Sequence, residues 1–272
     1  MVIKMKETNE KKRNVMHTIL LFLRIICIIT IIGCLIYIGN WYLENRKNAN
    51  MLKEVTDASI INTKTIDIPI TEESSEGEPA QTIQIQTYEL DFDKLFSVNK
   101  STVGWINVPN TSINYPVAQA PNNDFYLSHS FDNSRNTAGW IFADYRNKFD
   151  GTDKNIIIYG HNRVDTSMFA TLKNTQKPYW YNDKNNKYLT FTTPNGIDIY
   201  EVFSVYTIKM ETYYLTTDFY NDEDFQSFVD TIKGRSIHNF GTSVNSSDSI
   251  LTLSTCDATG KSRVILHAKK LN

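Results

Sequence analysis

Cysteine is scarce in this chain. The 272 residues hold three: Cys27 and Cys34 in an apolar N-terminal stretch, and Cys256 far downstream. The region beyond the apolar stretch therefore forms no internal disulfide. A leftover cysteine is either a buried packing residue or a free, reactive thiol. Cys27 and Cys34 read as apolar filler. Metal-ligand patterns are missing too: there is no HExxH and no CxxC, so no structural zinc site and no metal is expected. No GxSxG elbow, no phosphate loop, and no papain-type or caspase-type surroundings of a cysteine occur. Excess positive charge is also lacking. Beyond residue 44 there remain 22 basic and 27 acidic residues, a net of −5 without a basic stripe. That excludes nucleic acid as a partner.

What is present begins with a long apolar run, TILLFLRIICIITIIGCLIYI over residues 18–38. About 20 such residues span a bilayer core as a helix, and Arg24 sits close enough to one end to snorkel. A cleavable signal peptide has a shorter apolar core and a small-residue cleavage site. This run instead exits through Gly39-Asn40-Trp41-Tyr42, an aromatic interface anchor. Lys4, Lys6, Lys11, Lys12 and Arg13 precede it, so the positive-inside rule places the N-terminus in the cytoplasm and the rest outside. The expected organisation is a cytoplasmic tail over 1–17, a transmembrane signal-anchor over 18–41, an extracellular stalk and linker over 42–87, and a folded domain over 88–272. Residues 43–68 continue as a stalk helix, and the acidic, aromatic-free TEESSEGEPAQ over 71–81 reads as a flexible linker.

From Tyr88 on, strand patterns dominate. Short runs rich in Ile, Val, Tyr and Thr, bounded by Asn, Asp, Gly and Pro, predict eight strands at 104–109, 113–119, 138–145, 155–161, 188–193, 197–208, 249–256 and 263–271. Helical spacing appears at 91–99, with Asp91 as N-cap, at 166–174, and at 221–234. In the last, Phe225, Phe228, Val229 and Ile232 form one stripe and Gly234 closes the end. The fold class is mainly β, a closed or nearly closed barrel with few helices.

Cys256 ends one of these strands, and Arg263 begins the next. A thiol of ordinary pKa is mostly protonated at neutral pH and needs a base or a positive neighbour to act as a nucleophile. Arginine never serves as the base, but its fork donates to a developing oxyanion. The base is then a histidine. His17 lies at the inner membrane edge, His238 and His129 in loop-like stretches, and His267 inside a strand. His161 ends the strand IIIYGH, where side chains at a barrel rim meet a substrate. A surface loop histidine fits its spacing as well.

TLSTC over 252–256, Arg263 on the next strand and YGH over 159–161 together resemble the sortases, membrane-anchored cysteine transpeptidases. GWINVPNTSINYPV, NNDFYLSH, IFADYRN, IIIYGHN, SMFATL and the helix at 221–234 are most similar to class B. The resemblance covers residues 88–272. It implies the sortase barrel of eight strands with an N-terminal helix and a long helix before the cysteine strand. It implies that Cys256 attacks the threonine carbonyl of an NPxTN- or LPxTG-like sorting signal, that His161 exchanges protons with the amines, and that Arg263 steadies the oxyanion. It implies surface proteins bearing that signal and peptidoglycan or its precursor as partners, and no cofactor. Asn123, Leu127, Ser254, Thr255 and Asp257 match substrate-side positions by the same resemblance. Lys261, in the loop before Arg263, competes for the cationic role but lacks the fork. Two other readings stand beside a transpeptidase: a thiol hydrolase that releases surface proteins, and a non-catalytic anchored binding module.

Overall fold

The structure, a computed structural model, describes residues 2–69, 82–209, 211–256 and 261–271, with residues 2–13 and Cys256 described by backbone alone. The chain divides into two compact units, Met1–Lys47 and Asn48–Asn272. A helix α1 runs Val2–Ser59. It is the one described helix long and apolar enough to cross a membrane. Within residues 18–38 its Leu, Ile and Phe side chains are exposed.

In the second unit, α1 ends at Ser59 and the chain turns at once into β1 (Ile60–Pro69), which pairs antiparallel with β2 (Thr82–Leu90). The stalk helix expected over 43–68 thus stops earlier. Ile66 and Ile68 alternate with polar residues, which suits a half-buried strand, and a strand needs a partner, here supplied from beyond residue 81. The acidic linker expected over 71–81 lies outside the described residues. The hairpin packs Ile68, Ile83 and Ile85 on Tyr188, and Val55 of α1 joins the main core. The folded unit therefore begins well before Tyr88.

Asp91 caps α2 (Phe92–Val98), accepting from the Lys94 N–H. Among the described residues eight strands then close a barrel: β3 (Thr102–Asn107), β4 (Asn114–Gln119), β5 (Phe142–Ala143), β6 (Asn155–Gly160), β7 (Tyr188–Thr193), β8 (Gly196–Lys209), β9 (Ile250–Cys256) and β10 (Ser262–Leu271). Their order around the barrel is β10-β8-β7-β3-β4-β5-β6-β9. The pairs β4–β5 and β6–β9 are parallel and the rest antiparallel. All eight expected strands form. The third shrinks to two residues because Gly139 turns the chain at φ +63° and the Trp140 N–H goes to the Tyr126 carbonyl rather than to a neighbouring strand.

Ile106, Phe191, Leu251, Leu253 and Leu266 belong to the main core, and Trp105 joins it from the opposite face of β3. A second core forms outside the barrel wall, where α4 (Asp222–Gly234), capped by Asn221, packs Phe225, Val229 and Ile232 on Tyr206, Ile208 and Ile265. The helix ends with Arg235 in right-handed conformation, so Gly234 supplies no left-handed cap. The segment expected to be helical at 166–174 forms a 3-10 helix at Ala170–Gln176 instead; Thr166 and Met168 have positive φ and break its front half.

Candidate active site

β9 lies between β6 and β10. On one side Tyr159 pairs with Ser254 and Gly160 with Thr255, in parallel. On the other, Arg263 pairs with Cys256. His161 is the next residue after the Gly160–Thr255 pair, at the end of β6. Directly paired residues lie on the same face of a sheet. The ends of three neighbouring strands thus hold His161, Cys256 and Arg263 in one row. With strands about 4.8 Å apart, the outer two backbones sit roughly 10 Å from each other. Strand alternation sets the face. Leu251 and Leu253 point into the barrel core, so Thr252 and Ser254 belong to the outer face.

His161 is half-buried, and its Nε2–H donates to the Leu127 carbonyl at 2.9 Å. A carbonyl only accepts, so the hydrogen sits on Nε2 and a neutral ring keeps Nδ1 as its basic nitrogen. The ring also lies against Gly139: a Cβ there would come within 2.6 Å of His161 Cδ2 and 2.7 Å of the Tyr126 carbonyl oxygen. The glycine of YGH has a similar reason. A Cβ on Gly160 would meet Ile141 and Phe169 at 2.5 Å, so only glycine lets the strand end pack closely behind the histidine.

Beside the row runs a buried polar network. Asp144, fully buried, accepts from the Arg146 guanidinium through both oxygens, from the Tyr159 hydroxyl at 2.7 Å and from the Asn123 amide at 3.0 Å. Burial pushes the Asp144 carboxyl up, but the Arg146, Tyr159 and Asn123 hydrogen bonds outweigh it and hold the group below its ordinary value. Asn123 is engaged at both ends, since its carbonyl accepts from the Tyr145 N–H. The network escaped sequence reasoning; the only signal was an Asp and an Arg two apart in ADYRN.

The substrate-side residues separate. Leu127 offers its carbonyl to His161 and exposes its side chain. Ser254 is buried, its hydroxyl on that of Tyr214 at 3.0 Å, and Thr255 is buried too. Barrel packing accounts for both without a bound peptide. Asp257 lies outside the described residues. Lys261 is exposed in the bend before β10, outside the paired row. The other described histidines of this unit are occupied elsewhere. His129 stacks on Phe125 and His238 on Tyr181. His267 is fully buried between Tyr206 and Thr252, and burial pushes its pKa down to about 3. A cleft of about 700 Å³ opens at the far end of β10, lined by Tyr181, Lys184, Lys187, Glu201, His238 and Lys269, away from the row.

This geometry has close counterparts. The Sortase domain family model matches residues 106–271. Sortase B of Listeria monocytogenes is 39% identical over 180 residues, covering 64% of this chain and 72% of that protein. A Bacillus anthracis protein described as similar to sortase B superposes with a TM-score of 0.66 at 35% identity, over 85% of this chain and 97% of that one. The Staphylococcus aureus sortase B–substrate complex superposes with a TM-score of 0.62 at 38% identity, over 66% and 84% of the two chains. A barrel of matching topology, the family match over more than half the chain and these sortase B relatives lead to one conclusion: the chain belongs to the sortase family, is most like its class B members, and is a cysteine transpeptidase.

Proposed function

We propose that this protein is held in the membrane by residues 18–41 with its barrel outside the cell. There it cleaves an NPxTN- or LPxTG-like sorting signal after threonine and joins the surface protein to an amine of peptidoglycan or its precursor. The observation that supports this reading is the strand register: Arg263 pairs with Cys256, and His161 directly follows Gly160, which pairs with Thr255. With the Cys256 thiol proton passed to His161 Nδ1, the sulfur forms a bond to the threonine carbonyl carbon, and charge develops on the carbonyl oxygen. Arg263, on the neighbouring strand, donates hydrogen bonds to that oxygen. The carbon–nitrogen bond then breaks as protonated His161 gives its Nδ1 proton to the leaving amine, and a thioacyl enzyme remains. The incoming amine loses a proton to the same nitrogen and displaces the sulfur. Throughout, Nε2–H stays on the Leu127 carbonyl and fixes the ring.

The test uses residues 48–272 with a panel of NPxTN, NPxTG, SPxTG and LPxTG peptides, each with and without triglycine or diaminopimelate, and follows products by mass. An amine-joined product cut after threonine, absent in Cys256→Ala and His161→Ala, is expected. Free acid alone at high amine would replace the transpeptidase reading with a hydrolase. No cleavage of any peptide would overturn the proposed specificity.

A further inference from the structure

Asn48 lies on α1, more than a hundred residues before His161, and is 5% exposed. A buried asparagine must satisfy both ends of its amide. Its Nδ2 donates to the Gly139 carbonyl at 3.0 Å. Its Oδ1 accepts from the Asn136 amide at 2.9 Å and from the Ser130 hydroxyl. Ser130 and Asn136 are themselves fully buried. All three partners belong to one loop, residues 128–139, which is tied internally by Asn136 N–H to the Ser128 carbonyl and by Gly139 N–H to the Asn136 carbonyl. The two ends of that loop are where the His161 ring rests. Leu127, just before it, accepts from Nε2, and Gly139, its last residue, sits so close to the ring that a Cβ there would fall 2.6 Å from Cδ2 and 2.9 Å from Nε2.

We propose that Asn48 is a positioning residue for the transpeptidase reaction: by pinning the loop at Ser130, Asn136 and Gly139 it holds the Leu127 carbonyl and the Gly139 backbone where they fix the ring plane and tautomer of His161. This rests on the role given to His161 above. Asparagine is required chemically. Aspartate keeps the acceptor but turns a carboxylate oxygen toward the Gly139 carbonyl. Leucine, of similar size, leaves the Ser130 hydroxyl and the Asn136 amide without their acceptor. A misplaced ring lowers the rate of proton transfer and leaves peptide binding largely alone.

The experiment uses the full-length chain in lipid nanodiscs. Asn48→Asp and Asn48→Leu are compared with Val55→Ala, a core change on the same helix whose apolar side chain takes part in none of these hydrogen bonds. Peptide turnover is measured against pH, and 15N-histidine NMR reports the His161 tautomer and Nε2–H exchange. The expected result is a fall in kcat of at least tenfold in both Asn48 variants, with KM within twofold. Nε2–H exchange should quicken or the tautomers mix, while Val55→Ala lowers the melting temperature and keeps kcat and the ring signals. Unchanged ring signals in the Asn48 variants overturn the proposal, whatever the activity. So does an altered ring with unaltered kcat, or a matching kcat loss in Val55→Ala. An active His161→Ala would instead overturn the role of His161, while the NMR arm still judges what Asn48 holds.

Discussion

Gly139 combines two constraints that seldom coincide. Its φ of +63° is a left-handed conformation that L side chains rarely adopt, and its missing side chain is where the His161 ring lies. Gly139→Ala therefore strains the backbone and displaces the ring at once. Turnover of the cleaved peptide is expected to fall tenfold or more, with a melting temperature only a few degrees lower, as measured by steady-state kinetics and thermal unfolding. Arg263 is tested by its geometry rather than its charge. Arg263→Lys keeps a cation opposite Cys256 but loses the planar fork, and most of kcat should go with it; near-normal turnover would remove Arg263 from the chemistry. At this scale the Cys256–Arg263 strand pairing was legible from TLSTC and the arginine on the next strand. Ser254 and Thr255 were not separable from it, because sequence proximity to Cys256 does not reveal that Tyr214 covers one hydroxyl and that both residues are buried.

Between strands, the buried chain through His267 has a definite proton order. Thr252 donates to Asn155 Oδ1 at 2.7 Å, so toward His267 its hydroxyl accepts from Nδ1–H. Nε2 then accepts from the Tyr206 hydroxyl at 2.9 Å. The ring stays neutral in the fold, its pKa pushed down by burial to about 3, against an ordinary value near 6.5. Between those values the unfolded chain binds a proton that the folded one refuses. The contribution to stability is thus complete above about pH 6.5 and is lost as pH falls toward 3. Urea unfolding at pH 7 and pH 4.5 should show a larger drop for the native chain than for His267→Phe, which removes the titrating group; equal drops would assign the acid sensitivity elsewhere. The eight strands were readable because each has a β-branched core run between turn residues. The β1–β2 hairpin was not, since its two strands flank twelve intervening residues and their pairing is a property of neither alone. Nor was the brevity of β5, which follows from where the Trp140 N–H finds its acceptor.

As a whole, the barrel depends on residues that precede it. A chain beginning at Tyr88 loses Asn48, Val55, β1 and most of β2, and uncovers the apolar cluster on Tyr188. Each of Val55, Ile68, Ile83 and Ile85 contributes about 1.5–3 kcal/mol by burial, and a kilocalorie shifts the midpoint of a domain this size by about 2–4 °C. Residues 48–272 are therefore expected to melt more than about 10 °C above residues 88–272 in differential scanning calorimetry. The parallel β6–β9 seam has a consequence in time. It joins Asn155 to Ile250, 95 residues apart, and β10 must then seat between β8 and β9. Contacts of such separation form late and slowly. While the polypeptide is still being made, His161 has neither thiol nor arginine beside it. The row is completed only when Arg263, its last member in chain order, has been made and β10 has paired with β9.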